Sequence, residues 1–226
     1  MKYDVILLDA DETLFDYRRA AREALANACA AFGIPFTEAV HARYHAINDA
    51  LWRLYEQGGV TQEALRVGRF KRLSEALGVS LDPTAFNAAY TAALGEGAYL
   101  CDGALELCQA LYGKRPLYIA TNGLVETQKR RLEKSPLRPL ISDMFISEEI
   151  GFQKPRREYF DAVFSRIGNP DRARVILLGD SPTADMAGGR AGGFATCWLA
   201  PKDAVDRVGC DYRIERLLDF LPIALA

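Results

Sequence analysis

Four short apolar runs that do not alternate with polar residues constrain the fold of this chain more than any other feature. They span Val5–Leu8, residues 117–120, residues 175–178 and Ala195–Leu199, and residues 145–146 form a weaker fifth run. Strands that are apolar on both faces are typical of parallel sheets, because helices cover both sides of such sheets. Helical patterns lie between the runs. This alternation predicts an α/β fold with a doubly wound, mostly parallel sheet.

The segment between the first two runs is much too long for an ordinary strand–helix–strand connection. The chain advances by 113 positions from Asp9 to Asn122, whereas a simple βαβ unit takes ~30. Helical patterns cover residues 20–32, 37–56 and 61–77, and an aspartate followed by proline at position 83 is typical of a fourth helix start. We therefore expect a helical cap domain, residues 16–98, inserted into a core domain of residues 1–15 and 99–226.

Composition excludes several classes of function. The formal net charge of the 226 residues is −2, which argues against a nucleic acid polymer as partner. The five cysteines are scattered and lack CxxC spacing, so we expect neither a disulfide framework nor a zinc site, and a reducing compartment fits. No apolar stretch reaches the length of a signal peptide core or a membrane span. We expect a cytoplasmic protein that does not bind membranes; its oligomeric state cannot be read from the sequence.

Two aspartates, Asp9 and Asp11, follow the first apolar run directly. They should therefore lie at the carboxyl end of a buried strand, where open α/β sheets bind their ligands. Two carboxylates this close repel each other unless they hold a cation or share a proton. Further polar segments follow other runs or begin helices, and these are Thr121-Asn122-Gly123, Lys154-Pro155 and Gly179-Asp180-Ser181, with Asp185 five positions after Asp180. Together they predict one site at one edge of the sheet.

The two aspartates match the needs of phosphoryl transfer, which requires a nucleophile, an acid for the leaving oxygen and a divalent cation. Asp9 would be the nucleophile and would form an aspartyl-phosphate. Asp11 would protonate the leaving group and then activate water against that intermediate. A Mg²⁺ held by Asp9 and Asp180 would prevent repulsion between the nucleophile and the substrate dianion.

The remaining polar segments supply groups that can bind a phosphate. The Thr121 hydroxyl and the backbone amides around Asn122 and Gly123 could hold phosphate oxygens at a helix start. Lys154 would balance the remaining negative charge as a point cation. We expect Lys154 to lie at the start of a helix, with proline in the first helical position.

These motifs, which read DADET, TNG, KP and GDSPTAD, resemble those of the haloacid dehalogenase superfamily of phosphohydrolases. The resemblance implies a Rossmann-like core with a C1 helical cap, and it implies the roles just given for Asp9 and Asp11. It also implies that the backbone carbonyl of Asp11 binds the metal and that Asp185 binds it directly or through water. One departure is Glu12, because many members of the family have glycine at this position.

The pyrimidine 5'-nucleotidase branch is the most similar in appearance, because it shares the DADETL opening. This resemblance implies a small phosphorylated metabolite as substrate, namely a nucleoside 5'-monophosphate with a pyrimidine base. Phosphoglycolate or a small sugar phosphate is the alternative, and a phosphosugar mutase or a 2-haloacid dehalogenase is a more distant one. Four side chains of the cap could contact the substrate. Trp52, Tyr55 and Phe70 could stack on a nucleobase, although their helical spacing is also typical of a cap core. Arg69 could contact a phosphate or a base, or it could lie on a solvated face.

Other charged or polar pairs favour ordinary structural readings. Arg130 and Arg131 form a short basic pair that we expect at the surface. His41 and His45 share one helical face, but no third metal ligand accompanies them.

Overall fold

The computed structural model of the protein describes residues 2–205, 207 and 209–226. The chain divides into two compact units. One unit is the helical segment Arg18–Gly97, and the other combines the residues up to Tyr17 with Ala98–Ala226. None of the helices in the described part of the chain combines the length and hydropathy that a membrane span requires.

A parallel sheet forms the centre of the second unit, the core unit. Its six strands, counted over the described residues, are β1 Val5–Leu8, β2 Leu117–Thr121, β3 Asp143–Ile146, β4 Val175–Gly179, β5 Ala195–Leu199 and β6 Tyr212–Ile214. The strand order is β3-β2-β1-β4-β5-β6, and every neighbouring pair is parallel. The predicted α/β fold class is confirmed. The sequence did not indicate β6, because this edge strand is only three residues long and incompletely buried.

Helices cover both faces of this sheet, which explains why the strand sequences do not alternate. Ile6 and Leu8 of β1 belong to one buried cluster, and Val5 and Leu7 belong to another on the opposite face. The helices of the core unit are α5 Ala104–Leu111, α6 Val125–Glu133, α7 Ser147–Ile150, α8 Arg157–Arg166, α9 Ala187–Gly192 and α10 Leu221–Ala224.

The register of the three central strands brings their carboxyl ends together. Leu8, the last residue of β1, pairs with Ile119 of β2 and with Leu178 of β4. The polar residues that follow these strands therefore meet at one edge of the sheet, as the sequence predicted.

The expected helix start at Lys154 was wrong. Helix α8 begins at Arg157, and Lys154 and Pro155 lie in a turn before it, joined by a cis peptide bond. The physical reason is that the backbone of Lys154 is engaged elsewhere. Its amide donates to Asn122 Oδ1 at 2.8 Å, and its carbonyl accepts from Asn122 Nδ2 at 3.0 Å.

Four helices account for most of the helical unit: α1 Tyr17–Ala31, α2 Glu38–Glu56, α3 Gln62–Leu77 and α4 Pro83–Glu96. Their ends agree with the sequence signals. Thr61 accepts a hydrogen bond from the amide of Ala64 at 3.1 Å, and Asp82 accepts one from the amide of Thr84 at 2.9 Å. Gly78 ends α3 in the left-handed conformation, with φ 63°.

A buried arginine lies in the interior of the helical unit. Arg69 is 2% exposed, and its guanidinium donates to Asn87 Oδ1 at 2.9 Å and to Asn48 Oδ1 at 3.4 Å. It also lies over the rings of Phe70 and Tyr90, at 4.9 and 4.8 Å from their centroids. These contacts favour a packing role for Arg69 and Phe70 over the predicted contact with substrate.

The two other cap residues in the substrate prediction form a second cluster. Tyr55 is buried with Leu51 and Leu65, and Trp52 packs against them with its ring edge-on to Tyr55 at 5.6 Å. Both side chains therefore have partners within the helical unit itself.

We expect Arg69→Leu to lower the free energy of unfolding by roughly 1–3 kcal/mol, because the buried Asn48 and the partly buried Asn87 lose this donor. Chemical denaturation measures the change. Arg72→Leu, an exposed arginine on the same helix, is the matched control and should stay within about 0.5 kcal/mol of the parent. An Arg69→Leu protein of unchanged stability but reduced turnover would instead favour substrate contact.

Candidate active site

A buried lysine connects the polar residues at the strand ends. The ammonium of Lys154 donates to Asp9 Oδ1 and to Asp185 Oδ1, each at 2.6 Å, and to the carbonyl of Ala120 at 2.7 Å. Its side chain is only 2% exposed. All three donors of the ammonium are therefore engaged at the ends of β1 and β2 and in the segment after β4.

Three carboxylates converge around this lysine. Oxygen atoms of Asp9, Asp180 and Asp185 all lie within 4.8 Å of one another. Carboxylate oxygens are the ligands that hard divalent cations prefer in proteins. The donor set is therefore suitable for such an ion.

Burial and mutual repulsion strongly affect the ionisation of this cluster. Burial raises the pKa of Asp9 to about 7, against the opposing effect of Lys154 and with a further upward contribution from Asp185. Burial, together with Asp9 and Asp185, also raises the pKa of Asp180 well above its usual range. Burial opposes the charged form of Lys154, but the neighbouring carboxylates outweigh it and raise the pKa of its ammonium. The cluster thus has more negative charge than one lysine neutralises.

A wide helical turn places Asp185 beside the end of β4. The turn spans Pro182–Met186 and is capped by Ser181, whose hydroxyl accepts from the amide of Ala184 at 3.1 Å. Asp185 Oδ2 accepts from the amide of Ser181 at 3.1 Å. A Cβ at Gly179 would lie 2.3 Å from this same oxygen. Gly179 therefore leaves the space that Asp185 occupies.

The segment after β2 has contacts that the sequence did not indicate. The Thr121 hydroxyl accepts from the amide of Gly123 at 3.0 Å and from Nε2 of Gln128 at 2.9 Å. The side chain of Asn122, which bonds to the amide and the carbonyl of Lys154, therefore connects the segment after β2 to that lysine.

Two residues of α6, Gln128 and Arg131, contact Asp11. Gln128 Nε2 donates to Asp11 Oδ2 at 2.8 Å, and the guanidinium of Arg131 pairs with Asp11 Oδ1. Each of the two α6 residues is 1% exposed, so the expectation that Arg131 lies at the surface was wrong. Arg131 is buried because its close pairing with Asp11 compensates the free-energy cost of burying the guanidinium.

A sequence signal for these contacts did exist. Leu124 and Leu132 are eight positions apart, and helical spacing places positions 128 and 131 on the same face as these two leucines. A charged residue on such a face needs a partner of opposite charge. The same spacing places Arg131 on the inner face and Arg130 on the exposed face, as the structure has them.

The loop between β1 and α1 contains a residue with unusual backbone geometry. Glu12 has φ 61°, in the left-handed region that favours glycine. Its amide donates to the carbonyl of Phe15 at 2.8 Å, which closes the loop. Glycine would adopt this conformation without strain, so the backbone here accepts a glutamate at a position that is well suited to glycine.

A family model and several similar proteins all indicate one family of hydrolases. The family model described as haloacid dehalogenase-like hydrolase matches residues 3–193. The HAD-hydrolase YfnB of Bacillus subtilis is 38% identical over 96% of this chain and 93% of that protein. A crystal structure of YfnB bound to magnesium superimposes with a TM-score of 0.94, at 37% identity and over the full length of both chains.

Two further relatives are named for an activity. The pyrimidine 5'-nucleotidase YjjG of Escherichia coli is 38% identical over 88% of this chain and 87% of its own length. The pyrimidine 5'-nucleotidase PynA of Streptococcus pneumoniae is 32% identical over 89% of this chain and 85% of its own length.

We expect Gly179→Ala to lower the free energy of unfolding by about 1–3 kcal/mol, because the added methyl group overlaps Asp185 and forces the segment after β4 to shift. Urea unfolding followed by circular dichroism measures the change. Gly68→Ala is the control, since a Cβ there meets nothing within 4 Å and alanine should stabilise the interior of α3 by up to about 1 kcal/mol. Equal stability of Gly179→Ala and the parent would contradict the close packing described here.

Proposed function

Because this chain belongs to the haloacid dehalogenase-like hydrolase family, we propose that it is a Mg²⁺-dependent phosphomonoester hydrolase that acts through an aspartyl-phosphate on Asp9. The observation that carries this proposal is the position of Lys154 between Asp9 and Asp185. Phosphoryl transfer needs positive charge against the phosphate and carboxylates that can attack phosphorus and hold a divalent cation, and this arrangement offers both.

In the proposed reaction, an oxygen of Asp9 attacks phosphorus and the bond from phosphorus to the ester oxygen breaks. The nucleophile is held in place by its surroundings. The Asp9 amide donates to the carbonyl of Leu178 at 2.8 Å, and the Thr13 hydroxyl donates to Asp9 Oδ2 at 3.4 Å. Water then attacks phosphorus of the aspartyl-phosphate, which releases inorganic phosphate and restores Asp9.

Asp11 is the proposed proton carrier in both steps. It would give its proton to the leaving ester oxygen and would then take a proton from the attacking water. Its side chain is 30% exposed, unlike that of Asp9, so it can reach both substrate and water. A dehalogenase, which forms an ester with the alkyl carbon, needs no acid here. The presence of Asp11 therefore favours a phosphatase.

Thr121 and Lys154 are the proposed phosphate-binding side chains, with the backbone around Asn122 and Gly123. The Thr121 hydroxyl oxygen accepts two hydrogen bonds, which directs its own proton to another acceptor such as a phosphate oxygen. The Gly123 amide contributes indirectly, since it orients that hydroxyl.

The carboxylates of Asp9, Asp180 and Asp185 would hold the Mg²⁺, together with the backbone carbonyl of Asp11. Their oxygens are close enough to share one ion, and an all-oxygen set suits magnesium. Bound there, the ion would offset repulsion between the Asp9 carboxylate and the phosphate dianion. The magnesium bound in the YfnB structure supports the choice of magnesium as the ion.

The proposed substrate is a nucleoside 5'-monophosphate with a pyrimidine base. The support is the identity to YjjG and PynA, each of which is named as a pyrimidine 5'-nucleotidase. Because the core residues described above address only the phosphoryl group, they give no preference among bases. Phosphoglycolate and small sugar phosphates are therefore alternative substrates within the same reaction.

We expect Asp9→Asn to abolish phosphate release, because an amide cannot act as the nucleophile. The measurement is inorganic phosphate released with Mg²⁺ from UMP, dUMP, dTMP, AMP, phosphoglycolate and glucose 6-phosphate. Asp203→Asn, the same change at an exposed aspartate outside the proposed cluster, is the control and should retain turnover. An active Asp9→Asn enzyme would overturn the nucleophile assignment. If the pyrimidine monophosphates were inert and another ester were hydrolysed, only the substrate proposal would fail.

We expect Mg²⁺ to raise the thermal midpoint of the protein, by more at pH 8 than at pH 6, and EDTA to remove activity. A carboxyl with a raised pKa binds its proton more tightly in the folded than in the unfolded state. Its contribution to stability is therefore lost as the pH rises through about 7. Mg²⁺ replaces these protons, so its stabilising effect grows with pH.

Differential scanning fluorimetry with and without Mg²⁺ measures this effect, and Asp180→Asn should reduce it strongly. A Mg²⁺ shift that is equal at both pH values, or unchanged in Asp180→Asn, would contradict binding at this carboxylate cluster.

A further inference from the structure

We propose that Gln128 and Arg131 are positioning residues that hold the Asp11 carboxylate in place relative to the phosphate-binding Thr121. This inference rests on the proposed phosphatase function and goes beyond it, since it assigns roles to two residues of α6 outside the four sequence motifs.

The two α6 residues engage both oxygens of one carboxylate. Arg131 pairs with Asp11 Oδ1, and Gln128 donates to Asp11 Oδ2 at 2.8 Å. A carboxylate bonded at both oxygens cannot rotate freely about its side-chain bonds. Its direction is thus determined by α6 as well as by its own loop.

The amide of Gln128 also connects Asp11 to the phosphate-binding residue. The same Nε2 atom that donates to Asp11 donates to Thr121 Oγ1 at 2.9 Å. One nitrogen therefore sets the separation between the proposed proton carrier and a proposed phosphate ligand. Displacements of about 1 Å between such groups can cost a hundredfold in rate.

Arg131 in turn orients Gln128. The guanidinium donates to Gln128 Oε1 at 3.2 Å, which leaves the amide nitrogen directed at Asp11 and Thr121. Arg131 also lies over the Phe15 ring at 4.6 Å, which holds the guanidinium plane. Both α6 side chains are almost wholly buried, so they act through Asp11 and are not substrate ligands.

Gly123 is needed for this arrangement. A Cβ at position 123 would lie 2.3–2.6 Å from the side chain of Gln128. The absence of a side chain there leaves the space that Gln128 occupies when it contacts Asp11 and Thr121. The glycine of the second motif thus has a role in positioning Asp11 that is separate from phosphate binding.

The test is Arg131→Met, which keeps the packing against Phe15 and removes the contacts with Asp11 and Gln128. General-acid help matters for esters with poor leaving groups and little for p-nitrophenyl phosphate, whose leaving group departs without a proton. We expect kcat/KM for UMP to fall about 10–100-fold while kcat/KM for p-nitrophenyl phosphate changes by less than about threefold. If the parent hydrolyses phosphoglycolate and not UMP, phosphoglycolate replaces UMP as the ester with the poor leaving group.

A double-mutant cycle separates positioning from general damage. In an Asp11→Asn background, Arg131→Met should cause little further loss of kcat/KM on the same ester, because the group it positions is already gone. Arg131→Lys, which can still reach Asp11, should recover part of the activity. Arg130→Met, its exposed neighbour on α6, is the matched control and should leave both substrates unaffected. If Arg131→Met fails to fold, Gln128→Leu replaces it, and it should lower kcat/KM for both esters through Thr121 and lower it further for UMP through Asp11.

Equal losses on both esters, or the same loss in the Asp11→Asn background, would overturn the positioning role. A parent protein that releases no phosphate from any ester would instead overturn the proposed function, so the two failures are distinguishable.

Discussion

The rest of the site depends on the hydrogen bonds that the buried ammonium of Lys154 donates to two aspartates and a backbone carbonyl. Asp9, Asp180 and Asp185 have closely spaced oxygens, and such carboxylates would repel one another without a cation among them. Lys154 supplies one positive charge, and Asn122 holds its backbone with two hydrogen bonds. The remaining negative charge is what makes the cluster suited to a divalent cation.

The strands and helices around Lys154 form the site by packing closely against one another. Parallel register brings the ends of β1, β2 and β4 to one edge, so residues distant in sequence become neighbours. Two glycines provide the necessary space, since Gly179 admits Asp185 and Gly123 admits Gln128. The site is therefore a product of backbone packing as much as of the carboxylates themselves, and small additions of volume should disturb it.

Much of the fold and the site was predictable because the signals are local. Apolar runs without alternation predicted the parallel strands other than β6, and three of these runs lead directly into a polar motif. Predictions failed where a residue's environment comes from another element. The start of α8 was misplaced because Asn122, 32 positions earlier, holds Lys154. Arg131 was expected at the surface because its partner Asp11 lies 120 positions away.

The sequence by itself determined the α/β class, the long helical insertion and the acidic motifs, since periodicity and capping act over a few residues. Only the tertiary structure decided which side chains share a contact. It directed Arg131 and Gln128 onto Asp11, buried Arg69 among aromatic rings, and gave Glu12 a left-handed backbone. The physical reason is that such contacts depend on register and helix packing, which join distant segments and leave no pattern within any one of them.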